Sequence, residues 1–133
     1  MFFFPGSTIG NFSPGQARHL LQRLHRMAGP GGGLMLGVDL LKDPAVLYVA
    51  YNDDAGVTAQ FNRNLLTHLN GAFNANVDTP SFRHEAPWVA GERRVEMQLW
   101  CERGQWVQFG DQGGLHIATG EKLVREWCHK YTI

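Results

Sequence analysis

The sequence has little of what marks several specialised classes of protein. Its only two cysteines, Cys101 and Cys128, form no C-x-x-C pair, which excludes a disulfide scaffold and favours a reducing compartment. Lysine plus arginine equals aspartate plus glutamate at 12 each, so the basic excess of a nucleic-acid-binding surface is missing. No apolar run is long enough to span a bilayer, and the N-terminus lacks a signal peptide. We therefore expect a cytoplasmic protein that binds neither nucleic acid nor membrane.

The first 40 residues have the pattern of one strand-helix-strand unit. A short apolar run, Phe2–Phe4, stops at a glycine-containing turn, which is typical of a buried strand in a parallel sheet. Ser13 and Pro14 suit the cap and first position of a helix, and a second apolar run follows at 34–38. Ligands of open α/β sheets bind at the carboxyl ends of such strands, so the turn Gly6–Asn11 is a candidate binding segment.

The remaining residues follow a different pattern. Asp43-Pro44 opens a helix that extends to Tyr51, and a second helix is predicted over 57–73. From Phe82 onward apolar and polar residues alternate, which predicts antiparallel strands. Turns at Gly91-Glu92 and Arg103-Gly104 are expected to join hairpins. We expect an α/β slice over 1–42 and an α+β domain over 43–133.

Two segments could hold a small ligand, and each has a plainer structural explanation. The Asn11 amide can both donate and accept hydrogen bonds, which suits a carboxylate or zwitterion, but it could equally close an ordinary Asx turn. Tyr51, with the polar residues after it, could orient an amine. The alternative is a helix end followed by a cap from Asp54 or Thr58.

A third candidate lies near the end of the chain. On a strand, Glu126, Cys128 and Lys130 share one face, while the aromatic residues between them point the other way. A buried Glu126 could pair with a ligand cation, whereas an exposed one would have no particular role. His84-Glu85 lacks a second histidine four residues on, so we expect no metal site there.

Taken in order, these segments resemble one known family, the histidine-specific, S-adenosylmethionine-dependent methyltransferases. The resemblance covers nearly all 133 residues. It rests on segments 5–11 (PGSTIGN), 37–43 (GVDLLKD), 50–59 (AYNDDAGVTA) and 61–64 (FNRN), and on Glu126 near residues 130–132 (KYT).

The resemblance implies a fold and a set of roles. The fold would be a Rossmann-like methyltransferase sheet, represented here by one βαβ unit, with an inserted α+β substrate-binding domain. The reaction would be methylation of the α-amino group of L-histidine to give hercynine, in ergothioneine biosynthesis. Asn11 would hold the substrate carboxylate, with Gly6 beside it. Tyr51 would lie at the α-amino group, where it or a neighbouring water would act as the base.

The resemblance also assigns the imidazole end of the substrate. Glu126 would bind the imidazole, assisted by Cys128 at a position where the family usually has serine, and Met97 would line the same side. A thiol is a weaker hydrogen-bonding group than a hydroxyl. Imidazole recognition is therefore where this sequence departs from the family pattern.

The resemblance implies a fragment, because the family's glycine-rich S-adenosylmethionine segment would lie upstream and its final elements downstream. Three interpretations stay open. The chain could be the substrate-binding part of an N-methyltransferase, inactive alone and completed by a complementary chain. It could be a non-catalytic amino-acid-binding module. It could also be a truncated product without function, which self-associates through exposed sheet edges.

Overall fold

A parallel pair of strands joined by a helix forms the N-terminal part of the protein. The computed structural model describes residues 1–132. Strand β1 (Phe2–Phe4) pairs in parallel with β2 (Leu34–Leu36), and helix α1 (Pro14–Ala28) connects them. Ser13 and Gln16 form a reciprocal capping box at the start of α1, which satisfies backbone N–H groups that the helix leaves free. The predicted βαβ unit is therefore confirmed.

The expectation that β1 is buried is wrong. Phe3 is 69% exposed and Met35 on the neighbouring strand is 55% exposed. Phe2 and Phe4, on the other face of β1, are partly buried, so the described residues cover only one face of this strand. Strand β2 is also shorter than the apolar run that predicted it, since it ends at Leu36.

Two helices follow, with the predicted bounds: α2 (Pro44–Tyr51) and α3 (Val57–Phe73). The Asp43 carboxylate caps α2 by accepting from the Ala45 N–H at 2.8 Å. The predicted cap of α3 was wrong, because neither Asp54 nor Thr58 supplies it. Asp53 accepts from the N–H groups of Val57 and Thr58 at 2.8 and 2.9 Å instead.

The second half of the chain is β-structure, as the alternating pattern predicts. Its central strand has two short strands one after the other along one edge and a long strand along the other edge, all antiparallel to it. The four strands are β3 (Phe82–Glu85), β4 (Trp88–Val89), the central β5 (Arg94–Cys101) and β8 (Lys122–His129).

A separate hairpin contains β6 (Gln105–Gln108) and β7 (Gly114–Ile117). The turn at Gly91-Glu92 connects the paired strands β4 and β5, as predicted. The turn at Arg103-Gly104 does not join a hairpin, because β6 pairs with β7 and not with β5. Alternation along a strand identifies its two faces but says nothing about which strand lies beside it.

Two apolar clusters hold the helices onto the sheet. Helix α3 contributes Leu66 to a cluster with residues of β3, β5 and the hairpin, and α2 contributes Leu47 to a cluster with residues of β5. The polar face of β5 is not exposed, contrary to the simple alternating pattern, because Glu96 and Gln98 are also buried. The Gln98 amide donates to Glu96 at 2.9 Å, so burial leaves these groups paired.

After β8 the chain runs beside the segment that follows β2. The Tyr131 N–H donates to the Asp39 carbonyl oxygen at 3.0 Å, and the Leu41 N–H donates to the Tyr131 carbonyl at 2.8 Å. This pairing brings the last residues of the α+β part next to the end of the parallel pair. Among residues 1–132, no helix combines the length and apolar character needed to cross a membrane.

Candidate functional site

A cavity of about 280 Å³ lies where the carboxyl ends of β1 and β2 meet the ends of α2 and β8. Its size is just below the usual range for small-molecule sites, about 300–1,000 Å³. It is lined by Gly6, Ser7, Asn11, Asp39, Tyr51, Cys128, His129 and Lys130. Of the six predicted site residues, four therefore share this cavity: Gly6, Asn11, Tyr51 and Cys128.

The turn after β1 has the backbone geometry that a close approach requires. Gly6 and Ser7 have φ values of 72° and 55°, and left-handed backbone at a non-glycine residue such as Ser7 is uncommon. The Ser7 hydroxyl oxygen accepts from the Asp39 N–H at 2.8 Å, which ties the ends of the two parallel strands together. At Gly10 a Cβ atom would lie 2.9 Å from the His129 carbonyl oxygen, so only glycine lets the turn pack this closely against β8.

Asn11 and Glu126 meet at the edge of the cavity although 115 residues separate them. The Asn11 amide N–H donates to the Glu126 carboxylate. Asn11 keeps a second N–H and its carbonyl oxygen for a ligand. Glu126 itself is not in the cavity wall, and its side chain is 28% exposed beside Arg125.

A β-bulge in β8 decides which residues face this site. Leu123 pairs with Leu99 and Glu126 pairs with Met97, so Arg125 is left over where the register shifts. Without the extra residue, Glu126 would point to the opposite face of the sheet. Glu126 and Cys128 share a face by alternation, and the bulge turns that face to the side of Met97 and Val95, toward the core.

Tyr51 is held by the residues that fix the end of α2. The His84 Nε2–H donates to the Tyr51 carbonyl oxygen at 2.9 Å, and the amide of Asn62, which is fully buried, donates to His84 Nδ1 at 2.9 Å. Asn52 adds two hydrogen bonds to the backbone of Ala86, at 2.9 and 3.1 Å. The side chain of Tyr51 thus starts from a backbone position that β3 and α3 both constrain.

The most enclosed charge in the cavity is the ammonium of Lys130, whose side chain is 2% exposed. It donates to the Asp39 carboxylate at 2.7 Å and to the Tyr51 hydroxyl oxygen at 2.6 Å. Burial by itself would lower the pKa of Lys130, but these two hydrogen bonds outweigh it and raise that pKa. Burial raises the pKa of Tyr51 despite the donor from Lys130. At neutral pH the site holds a charged ammonium beside a neutral phenol.

Asp39 is an anion shared between two lysines. Burial acts to raise its pKa, yet the hydrogen bonds from Lys130 and Lys42 lower it below the ordinary value of 3.8. Lys42 is 48% exposed, whereas Lys130 is enclosed. The buried member of these three charged groups is therefore the Lys130 cation.

The two sulfur-containing candidates lie in different surroundings. Cys128 lines the cavity and packs on the cluster that contains Met97, and burial raises the pKa of its thiol. Met97 is 3% exposed and belongs to the core beneath Tyr51 and Cys128, not to the cavity wall. Its contact with a bound imidazole stays a prediction.

Four cavity residues were not assigned a role from sequence: Ser7, Asp39, His129 and Lys130. Signals for two of them were present, because Asp39 directly follows the second apolar run, 34–38, and Lys130 shares the face of Glu126 and Cys128. His129 donates from Nδ1 to the Gly10 carbonyl oxygen at 2.8 Å, and its buried Nε2 has no partner among residues 1–132. Its role in joining β8 to the turn depends on a contact that no local pattern predicts.

Comparison with known proteins places the chain among relatives of one kind. The sequence model of a family described as "Histidine-specific methyltransferase, SAM-dependent" matches residues 1–133. The chain is 46% identical, over 98% of its length, to a histidine N-alpha-methyltransferase of Mycobacterium tuberculosis (strain CDC 1551 / Oshkosh), of which it covers 41%. It is 40% identical over 96% of its length to the protein of the same name from Mycolicibacterium smegmatis, of which it covers 40%.

A fungal relative is more distant and much longer. The chain is 35% identical, over 85% of its length, to ergothioneine biosynthesis protein 1 of Neurospora crassa, of which it covers 11%. The chain thus spans about two fifths of the length of the two bacterial relatives and a smaller share of the fungal one.

Proposed function

This chain belongs to the histidine-specific, S-adenosylmethionine-dependent methyltransferase family, and on that premise we propose that its cavity binds L-histidine and presents the α-amino group for methylation. The reaction would yield hercynine, for ergothioneine biosynthesis. The observation that carries the proposal is the meeting of the Asn11 amide with the Glu126 carboxylate beside a cavity that Tyr51 also lines. The Asn11 amide, the Glu126 carboxylate and the Tyr51 hydroxyl would bind, in turn, the carboxylate, the imidazole and the α-amino group of L-histidine.

We propose that the imidazole lies at the Glu126 end of the cavity. The Glu126 carboxylate accepts from Asn11 and has further lone pairs for an imidazole N–H. Asn11 then turns its second N–H toward the substrate carboxylate. Cys128, one pleat along β8 on the same face, contacts the ring from the cavity wall.

In this arrangement the α-amino group lies at the hydroxyl of Tyr51. The phenol is neutral, because burial raises its pKa, so it orients the amine through a hydrogen bond and does not act as a phenolate base. A water beside Tyr51 takes the proton from the ammonium. Holding the amine in one orientation removes rotational freedom before the reaction, which is a large part of what enzymes contribute to bimolecular steps.

The described residues do not fit the methyl donor. The smaller cavity, at about 280 Å³, is already near the lower limit for one small ligand. The larger one, about 640 Å³ beside α1, has no glycine in its wall, and the sequence has no G-x-G-x-x-G loop. We therefore assign no residue of this chain to S-adenosylmethionine and propose that the chain binds histidine without methylating it.

The division of the chain is part of the same proposal. Residues 1–42 would belong to a Rossmann-like sheet and residues 43–133 to a substrate-binding domain. The exposed side chains of Phe3 and Met35 would then be covered by a complementary chain or by a second copy. Light scattering of the isolated chain tests this, and a monomer at all concentrations would contradict self-association.

Thermal unfolding in the presence of L-histidine tests the binding proposal. We expect L-histidine to raise the midpoint of the unaltered chain, since a ligand that binds only the folded state stabilises it. Asn11→Ala should abolish the shift, whereas Asn64→Ala, at an exposed position on α3, should keep it. An equal shift in the Asn11 variant would remove this residue from the site.

A further inference from the structure

Lys130 is an enclosed cation with one unused donor inside the cavity. An ammonium has three N–H groups, and those of Lys130 reach Asp39 at 2.7 Å and Tyr51 at 2.6 Å, which leaves one for another partner. Its side chain is 2% exposed, so water screens its charge poorly. No role for Lys130 follows from the three polar groups that define the histidine site.

The groups that face Lys130 do not cancel its charge. The Asp39 carboxylate is shared with Lys42, which gives two positive charges and one negative in this trio. Tyr51 and Cys128 are neutral, since burial raises both of their pKa values. The Glu126 carboxylate accepts from Asn11 and is not part of the cavity wall. His129 donates from Nδ1 to the Gly10 carbonyl oxygen.

Lys130 also fixes how the Tyr51 hydroxyl can act. The ammonium donates to the phenolic oxygen and lies 4.6 Å from the centre of its ring, so one lone pair of that oxygen is already used. A substrate ammonium at the same hydroxyl would bring a second cation close to Lys130 in an enclosed site. An unprotonated amine at the same place would meet no such repulsion.

We propose that Lys130 is a positioning residue that orients Tyr51 and makes the site select the unprotonated α-amino group of the bound amino acid. This inference rests on the proposed function. On binding, the ammonium nitrogen keeps the electron pair of one N–H bond, and the proton passes through water to the bulk solvent. The lone pair that remains is the nucleophile that N-methylation requires.

The proton released on binding is measurable without any methyl transfer. L-histidine is titrated into the chain by calorimetry at about pH 7, where most α-amino groups carry a proton, in buffers of different ionisation enthalpy. We expect release of about one proton per histidine bound, because the site repels the charged form. The matched ligand 3-(imidazol-4-yl)propanoate has the same titratable imidazole but no amine, so L-histidine should release about one proton more than this ligand does.

Two substitutions separate charge from structure. Lys130→Gln removes the charge and should reduce proton release to less than about half of the unaltered value, while Lys130→Arg keeps a charge that cannot titrate and should retain it. Circular dichroism confirms that each variant is folded. Equal release by the two variants, or equal release by L-histidine and the amine-free ligand, would overturn the role of Lys130. Histidine binding without proton release would also overturn it but leave the proposed function standing, whereas no binding by the unaltered chain contradicts both.

Discussion

The imidazole of His129 donates from Nδ1 to the carbonyl oxygen of Gly10 at 2.8 Å. This contact joins β8 to the turn that carries Asn11. Gly10 directly precedes Asn11 and His129 directly follows Cys128, and Asn11 and Cys128 both line the cavity. Gly10 permits it because a Cβ there would lie 2.9 Å from the His129 carbonyl oxygen and 3.3 Å from its nitrogen. The position of Asn11 therefore depends on a missing side chain at the preceding residue.

Gly10→Ala should destabilise the protein by about 1–3 kcal/mol, because the atoms that the new methyl meets are backbone and cannot rotate away. Urea unfolding measures the change. Gly71→Ala is the matched control, since a Cβ at that position of α3 would meet nothing within 4 Å and alanine is the better helix former. That variant should gain about 0.5–1 kcal/mol. Equal stability of the two variants would mean that the turn does not pack on β8 as described.

Asp53 caps α3, and we expect its contribution to the stability of the protein to depend on pH. Hydrogen bonds from Thr58 and Val57 lower the pKa of Asp53 to about 2 from the ordinary value of 3.8. A carboxylate with a lowered pKa in the folded state stabilises the protein above its unfolded pKa, and this contribution is lost as pH falls toward about 2. We expect Asp53→Ala to lower the thermal midpoint at neutral pH, with the difference from the unaltered protein disappearing near pH 2.

Asp54→Ala is the matched control for this cap. Asp54 is exposed and neighbours Asp53, so its loss changes the net charge by the same amount without removing the hydrogen bonds to α3. The control should keep the thermal midpoint at neutral pH. An equal loss in both variants would show that charge, and not capping, causes the effect.

The local elements could be predicted from sequence, because the signals that set them are local. Helix α3 has the predicted bounds, and α1 begins where Ser13 and Pro14 indicate. The partner of β6 could not be predicted, since alternation is the same whichever strand lies alongside. The bulge at Arg125 was also not predictable, because an extra residue in a strand leaves no mark in composition or spacing.

The candidate site also has residues that the sequence predicts and residues that only the fold reveals. Asn11, Tyr51 and Glu126 are each candidates from their local segments, but only the resemblance to a family predicts that they share one site, because nothing in their spacing places three such distant residues together. The role of Lys130 could not be predicted, because it depends on the ion pair with Asp39, which is 91 residues away. The two residues meet only because the chain after β8 runs beside the segment that follows β2. Burial of a charge in a cavity is a property of the fold and not of any segment.

Cys128→Ser should strengthen the binding of an imidazole ligand. A hydroxyl donates and accepts hydrogen bonds better than a thiol, and one such bond in the cavity wall is worth about 2- to 10-fold in affinity. Calorimetry with L-histidine measures the change. Cys101→Ser is the control, because Cys101 lies in the separate cluster under α3 and should leave the affinity unaltered. No change in the Cys128 variant would mean that its side chain faces away from the ring.

S-adenosylmethionine should not bind to this chain alone. The sequence has no G-x-G-x-x-G loop, and neither cavity described above has the glycine-lined wall and the volume that the methyl donor needs. Calorimetry should detect no heat of binding, with L-histidine as the positive control on the same sample. Clear micromolar binding would overturn this assignment and place the donor site within these 133 residues.

His84→Ala tests whether the support under Tyr51 matters to the site. His84 links the Tyr51 carbonyl oxygen to the buried Asn62 amide, at 2.9 Å on each side. Its loss leaves buried polar groups without a partner, which should cost about 1–3 kcal/mol in the free energy of unfolding. Because the end of α2 is then free to shift, we also expect weaker binding of L-histidine in the same calorimetric assay.

The control for this variant is His68→Ala, on the exposed side of α3, where His68 forms a hydrogen bond with the exposed Asn64 amide at 3.3 Å. It should change neither stability nor affinity. The free energy of unfolding reports the effect of His84 on packing, and the affinity for L-histidine reports its effect on the position of Tyr51. If His84→Ala lowers stability but binds L-histidine as tightly as the unaltered chain, the hydrogen bond to the Tyr51 carbonyl does not position the hydroxyl. In that case Lys130, which donates directly to the Tyr51 hydroxyl oxygen at 2.6 Å, suffices to orient it.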